Sequence, residues 1–245
     1  MLGSHIKKGD TYFKTFSECP LKVMQIFAGS TKSYFRRYPS EEDCELTKKY
    51  LKESGNEFYI HGTYLLNIAR EGETIKKAIK CVSDDLKIGN SLGCKGVVIH
   101  VGKSLKMKME DAEKHSKENI ETLLKVATPE CPLIIETPAG QGTEMYTKID
   151  DFLDLIDNYK DNTALQICVD SCHVFASGYE PLDYLKKVIE RFPQKRILVH
   201  YNDSKECLGS RKDRHEVPGE GHIGKEKMNE LKKFCEEKEI NMIIE

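Results

Sequence analysis

Apolar residues along this chain gather in short runs, and polar amphipathic stretches separate one run from the next. The runs are MLGSHI (1–6), LKVMQIFAG (21–29), EFYIHGTY (57–64), GVVIHVG (96–102), LIIETPAG (133–140), LQICVDSCH (165–173), RILVHYND (196–203) and INMIIE (240–245). Rich in β-branched residues and short for a helix, each reads as a buried strand. Between them, residues 40–54, 74–93, 109–128 and 226–239 return apolar side chains near i, i+3 and i+4, the spacing of a helix with one buried face. Pro181 suits the first turn of a further helix. Eight such repeats predict an α/β fold, a closed TIM (β/α)8 barrel in a single domain over residues 1–245, with a doubly wound open sheet as the alternative. The eighth run reaches Glu245 with no helical stretch after it, so the barrel is expected to lack its final C-terminal helix.

Composition narrows this picture. A length of 245 residues suits a barrel, which typically needs about 250. Charged residues at 32% and a mean hydropathy of -0.53 point to well-solvated helix faces. No apolar run approaches the roughly 20 residues of a membrane span, and the opening MLGSHIKKGD has no signal-peptide core, so an intracellular protein is expected. Nine scattered cysteines without a C-x-x-C read as reduced thiols in a reducing compartment, and not as a disulfide framework or zinc knuckle. The net charge of -2 excludes a generally basic nucleic-acid binder, so any polyanion must be drawn by a local field.

The chemistry lies where the runs end. His61, His100, Glu136, Asp170, His173, His200 and Glu245 stand at the C-terminal ends of runs, and Asp213 and His215 follow in a glycine-punctuated loop. Barrel enzymes build their sites at that end. One such residue alone is ordinarily a hydrogen-bonded buried group or a helix cap. Nine together would bury several charges, each costing on the order of several kcal/mol unless compensated. Imidazole and carboxylate are metal ligands, and nine of them suit a cluster of three ions. Three divalent ions against Glu136, Asp170, Asp213 and Glu245 leave roughly +2, an anion-seeking pit in a weakly acidic protein. Of the remaining histidines, His5 reads as a hydrogen-bonding neighbour of the site, His115 as solvated, and His222 as a loop residue that touches substrate or nothing.

These residues sit in segments that resemble the endonuclease IV family of abasic-site (AP) endonucleases. The resemblance spans essentially the whole chain, from GSHI and MQIFAG through HGTYLLNIA (61–69) and IETPAGQGT around Glu136. It continues in CVDSCHVFASGYE (168–180) and HYNDSKECLGSRKDRHEVPGEGHIG (200–224). It implies three Zn2+ ions, with Mn2+ able to replace some of them: one held by His61 and His100, a second by Asp170, His200 and Glu245, with Glu136 between the two, and a third by His173, Asp213 and His215. It also implies hydrolysis of the phosphodiester 5′ to an abasic site, leaving a 3′-hydroxyl and a 5′-deoxyribose phosphate, with Glu136 as the catalytic residue and trimming of blocked 3′ ends as a related activity. The implied partner is double-stranded DNA carrying abasic sites or blocked 3′ ends, met by a monomer. Tyr64 and Leu65 would wedge the duplex, helped by a basic residue for which Lys32 is the nearest match and Arg36 and Arg37 are alternatives. Two departures are visible: the family continues past the final glutamate with a helix, and His222 stands where asparagine is common. The rival readings are a sugar isomerase or epimerase on a related barrel, and a damage-binding protein without catalysis.

Overall fold

The computed structural model describes residues 1–245 and closes eight parallel strands into a barrel. In chain order these are β1 (Leu2–His5), β2 (Val23–Phe27), β3 (Glu57–His61), β4 (Val97–His100), β5 (Leu133–Glu136), β6 (Leu165–Asp170), β7 (Ile197–His200) and β10 (Asn241–Ile244). Each pairs with its neighbours in sequence, and β10 pairs with β1 through Leu2 opposite Met242 to close the ring. A two-residue antiparallel pair, β8 (Asp203–Ser204) and β9 (His215–Glu216), stands outside the barrel. The helices are α1 (Tyr12–Ser17), α2 (Glu41–Ser54), α3 (Glu73–Leu92), α4 (Met109–Leu124), α5 (Ile149–Asp157), α6 (Ser171–Ala176), α7 (Pro181–Arg191) and α8 (Lys225–Glu237). None is long and apolar enough to cross a membrane.

The alternation of strand side chains positions the site. Val23, Tyr59, Val98, Ile134, Cys168, Leu198 and Ile243 point inward and pack as an apolar plug. Residues of opposite parity, such as Met24, Ile60, Ile99, Ile135, Val199 and Met242, join the shell between barrel and helices. With a side-chain period of two, the next inward position on each strand lies one layer above the plug. Those positions are Gln25, His61, His100, Glu136, Asp170, His200 and Glu245, with His5 two residues after Gly3 on β1. Each of the eight strands therefore presents a polar group, within or just past its C-terminal half, on an apolar floor.

Helices expected from periodicity form within a few residues of their expected ends, and Pro181 occupies the first turn of α7. Ser40 caps α2 by accepting from the Asp43 amide, and Gly55 ends it at φ 66°. The stretch 109–128 stops being helical at Leu124, beyond which Val126 turns back to the Leu123 carbonyl. The run 165–173 is corrected in the same way: the strand ends at Asp170, whose carboxylate accepts from the His173 amide and starts α6. His173 thus reaches the site from a helix. No helix follows β10 within the 245 residues, yet Met242 on its outer face is fully buried. All nine cysteines are free thiols.

Candidate metal centre

Glu136 is the hub of the polar layer. It is 1% exposed, and its two oxygens face opposite ways. Oε1 lies 2.8 Å from His200 Nδ1 and 3.7 Å from His173 Nδ1, while Oε2 lies 3.4 Å from His61 Nε2 and 3.5 Å from His100 Nε2. Glu245 Oε2 approaches His200 Nδ1 to 3.1 Å, and Asp170 Oδ2 approaches it to 3.7 Å. His173 Nε2 and His215 Nε2 stand 3.3 and 3.2 Å from Asp213 Oδ1. The nine residues converge into three sets whose ligand atoms lie within 4.8 Å of one another: His61, His100 and Glu136; Glu136, Asp170, His200 and Glu245; and His173, Asp213 and His215. Cys168 and Cys172 also come within reach. Burial pushes both thiols up to about 12, which makes them poor competitors with carboxylate and imidazole at neutral pH.

The donor set has the chemistry of a cation site. His61 Nδ1 donates to the Gly62 carbonyl and His173 Nδ1 to that of Thr137, each at 2.9 Å, so Nε2 is the nitrogen each ring turns toward the cluster. His100 Nε2, Glu136 Oε2, His173 Nε2 and His215 Nε2 are buried without a hydrogen-bond partner. Four such atoms facing one space are unusual in a folded protein, where buried polar atoms are overwhelmingly paired. Without an ion, the charges compensate one another. Burial opposes ionisation of Glu136, Asp213 and Glu245, but the facing imidazoles outweigh it and hold all three carboxylates below their ordinary range. Burial likewise pulls down His61, His173, His200 and His215, yet nearby anions leave each of them raised. His100 is lowered, because burial and the neighbouring imidazoles prevail there over Glu136.

An opening of about 500 Å3 is lined by His61, His100, His173, Asp213, His215 and Glu245 of this cluster, with Tyr64, Leu65 and Lys103 beside them. Tyr64 is 58% exposed and Leu65 39%. The Tyr64 ring packs 5.3 Å from both Phe27 and His61. Lys32 is exposed on the loop after β2 and does not line the opening. That loop touches the segment before Tyr64 and Leu65, where Thr63 Oγ1 donates to the Thr31 carbonyl at 2.9 Å. Arg37 is exposed nearby, whereas Arg36 cannot serve as a surface cation. It is buried, donates from Nε to Asp85 at 2.5 Å, and turns Nη1 onto the carbonyls of Ser30, Ser33 and Phe35. Its charge is consumed in fixing the loop.

A family model described as a xylose isomerase-like TIM barrel matches residues 13–241. A probable endonuclease 4 of Persephonella marina is 31% identical over 237 residues, which cover 91% of this chain and 82% of that protein. The crystal structure of endonuclease IV from Thermus thermophilus matches with a TM-score of 0.85 at 28% identity, covering 99% of this chain and 91% of that one. The chain belongs to the endonuclease IV family. It is a nuclease of the hydrolase class. A D-tagatose 3-epimerase-like protein, with a TM-score of 0.75 at 17% identity over 99% of this chain and 89% of its own, shares the barrel alone.

In this endonuclease IV family member, several residues that support the cluster carry no signal in the sequence. Gln25 is fully buried, donates to Glu245 Oε1 at 2.6 Å and faces His200 Nε2 with Oε1 at 3.0 Å. Asn202 donates to Asp170 Oδ2 at 2.7 Å and accepts from the Glu245 amide at 2.9 Å. Gln141 accepts from the Asp213 amide at 3.2 Å. Only their places, one layer above the plug or one turn from a ligand-type residue, could have marked them. His5 joins the network, with Nδ1 3.2 Å from Gln25 Nε2. His222 is exposed, and His115, expected to be solvated, is instead half-buried between Glu71 and Glu118.

Proposed function

We propose that the chain is a zinc-dependent AP endonuclease of DNA repair that cuts the phosphodiester 5′ to an abasic site and leaves a 3′-hydroxyl and a 5′-deoxyribose phosphate. Trimming of blocked 3′ ends is the same hydrolysis on a shorter leaving group. The observation that carries the reading is the set of four partnerless buried ligand atoms, three of them on residues (His100, His173 and His215) that line an opening shared with an exposed tyrosine and leucine. His61, His100 and Glu136 would hold one ion; Glu136, Asp170, His200 and Glu245 a second; and His173, Asp213 and His215 a third. When bound, such ions supply Lewis acidity and a nucleophile at neutral pH.

The chain's own residues contribute position and charge. Glu136, with one oxygen toward His200 and the other toward His61, would orient the attacking group and link the first two sets. Tyr64 and Leu65 would enter the duplex where a base is missing, because the unstacking cost is lowest there. Lys32, beside that wedge, would meet a backbone phosphate. The third set, His173, Asp213 and His215, distinguishes this reading from a sugar isomerase or epimerase, which needs only one or two ions. A monomer, one barrel domain over residues 1–245 and an intracellular, reducing location complete the proposal.

The test is metal content per chain, paired with incision of a duplex carrying one abasic analogue before and after chelation. About three ions and chelator-sensitive 5′ incision are expected. A folded barrel that binds the duplex without nicking it would support the binding-only alternative, and one or two ions without incision would support the sugar-enzyme alternative.

A further inference from the structure

Asp203 is fully buried and lies three residues beyond His200, outside the nine-residue cluster. Its carboxylate is spent on main-chain donors. Oδ1 accepts from Ser204 N at 2.7 Å and Ile223 N at 2.9 Å, and Oδ2 accepts from Gly219 N at 3.0 Å and Gly224 N at 3.2 Å. These donors bracket the loop between β7 and α8. His222 N adds a bond to the Ser204 carbonyl at 2.7 Å. The chain passes so close at Gly221 that an added Cβ would stand 2.4 Å from Ser204 O and 2.5 Å from Asp203 Oδ1.

This loop carries Asp213 and His215. The β8–β9 pair sets Asp203 opposite Glu216 and Ser204 opposite His215. The loop tip has separate moorings, since Gly209 N and Arg211 N donate to the Phe175 and Ala176 carbonyls of α6. Its base, by contrast, is closed by Asp203. A loop of this length closes at an entropic cost that the four bonds offset, and they fix where His215 enters the cluster.

We propose that Asp203 is a positioning residue for the third ion: a buckle whose four backbone bonds hold Asp213 and His215 against His173. The inference rests on the three-ion reading above. In Asp203→Asn, one oxygen that accepts becomes an amide that donates, placed against two N–H groups, while size is kept. Gly221→Ala presses the loop off an intact carboxylate.

The experiment measures zinc per chain and stepwise zinc dissociation against a chromophoric chelator, for the full chain and for both variants, with thermal melts alongside. Asp213→Asn, which removes a ligand-type side chain from the third set, is the reference. Loss of a partner behind the ligands typically weakens metal binding roughly 10- to 100-fold. Both variants should lose that factor for one ion only, keep the other two unchanged, and recover three ions in excess zinc. Adding Asp203→Asn to Asp213→Asn should cost no further ion. If the unaltered chain takes fewer than three ions, the three-ion reading fails and this inference with it. If the unaltered chain takes three, the inference is overturned by Asp203→Asn holding all three at unaltered affinity, by equal weakening of all three, or by both variants failing to fold.

Discussion

Replacing Gln25 by leucine tests whether the polar layer works as one hydrogen-bonded unit. Glu245 Oε1 is a carboxylate oxygen and can only accept, so the Gln25 group 2.6 Å from it must be the amide NH2. Gln25 Oε1 then faces His200 Nε2 at 3.0 Å and must accept from it. Nε2 of His200 therefore carries a proton, which leaves Nδ1, facing Glu136, Asp170 and Glu245, as the nitrogen that could bind an ion. One glutamine fixes the tautomer of one ligand-type residue and the rotamer of another. Leucine keeps the volume and removes both effects.

Two quantities follow. Loss of a hydrogen-bonding partner behind metal ligands typically weakens affinity about 10- to 100-fold, or roughly 1.4 to 2.7 kcal/mol. In the metal-free protein, His200 is left with a buried donor and no partner, which costs about 2 kcal/mol, or roughly 4 to 8 °C in Tm. Glu245 adds little, since its side chain is 13% exposed and water can replace the amide. Competitive zinc titration reads the first quantity, and calorimetry of the metal-free protein reads the second. Zinc affinities within threefold of the unaltered chain, together with an unchanged Tm, would refute the reasoning.

Arg36→Ala should destabilise the fold by about 3 to 5 kcal/mol, because it strands Asp85 in a pair that is fully buried on both sides. Burial holds Asp85 up to about 6, so the loss seen in denaturant titrations should be larger at pH 8 than at pH 5, where the acid can neutralise itself. Tyr64→Ala should leave metal content unchanged and weaken binding of an abasic duplex by roughly 1 to 3 kcal/mol, and Leu65→Ala should weaken it as well, both read by fluorescence anisotropy; equal loss for an undamaged duplex would argue against a wedge. His61, His173, His200 and His215 are raised in the metal-free cluster, so the stability they give is present below about pH 6.5 and is lost as pH climbs through their raised values. The Tm of the metal-free protein should therefore fall toward alkaline pH, zinc affinity should rise, and calorimetry in two buffers of different ionisation heat should detect proton release on binding. Chelation should weaken duplex binding as well as incision and should flatten its salt dependence; an unchanged affinity would place the attraction elsewhere on the surface.

The barrel was legible because its signal is periodic. Eight apolar runs and the helical spacing between them survive in the sequence, and the long helices α2, α3, α4 and α8 fell close to their expected ends. The short helices α1 and α6 were not, since six residues show less than two full turns of periodicity. The ligand-type residues were legible because histidine and acid behind an apolar run are conspicuous. Gln25 and Asn202 were not, because a single uncharged amide, inside an apolar run as at Gln25 or just past one as at Asn202, carries no mark of a metal ligand's partner. Arg36 misled for the opposite reason: an arginine in a loop reads as exposed, and only the fold reveals Asp85 of α3 beneath it.

Under the proposed three-ion loading, the polar layer would also explain how a chain with net charge -2 attracts DNA. Without ions, the carboxylates of Glu136, Asp170, Asp213 and Glu245 face four imidazoles held above their ordinary value, His61, His173, His200 and His215. The formal sum is near zero, and the pit attracts nothing in particular. Three divalent ions would displace the imidazole protons and change that sum to roughly +2, above an apolar floor. The field that draws a phosphate would then exist only when the ions that cut it are in place. A chain of this composition need not carry a basic surface, and it would not compete for undamaged nucleic acid while unloaded. The cost is borne by the fold, because every imidazole kept ready for an ion must first be buried beside a carboxylate, and the apolar shell around the barrel has to offset that burial.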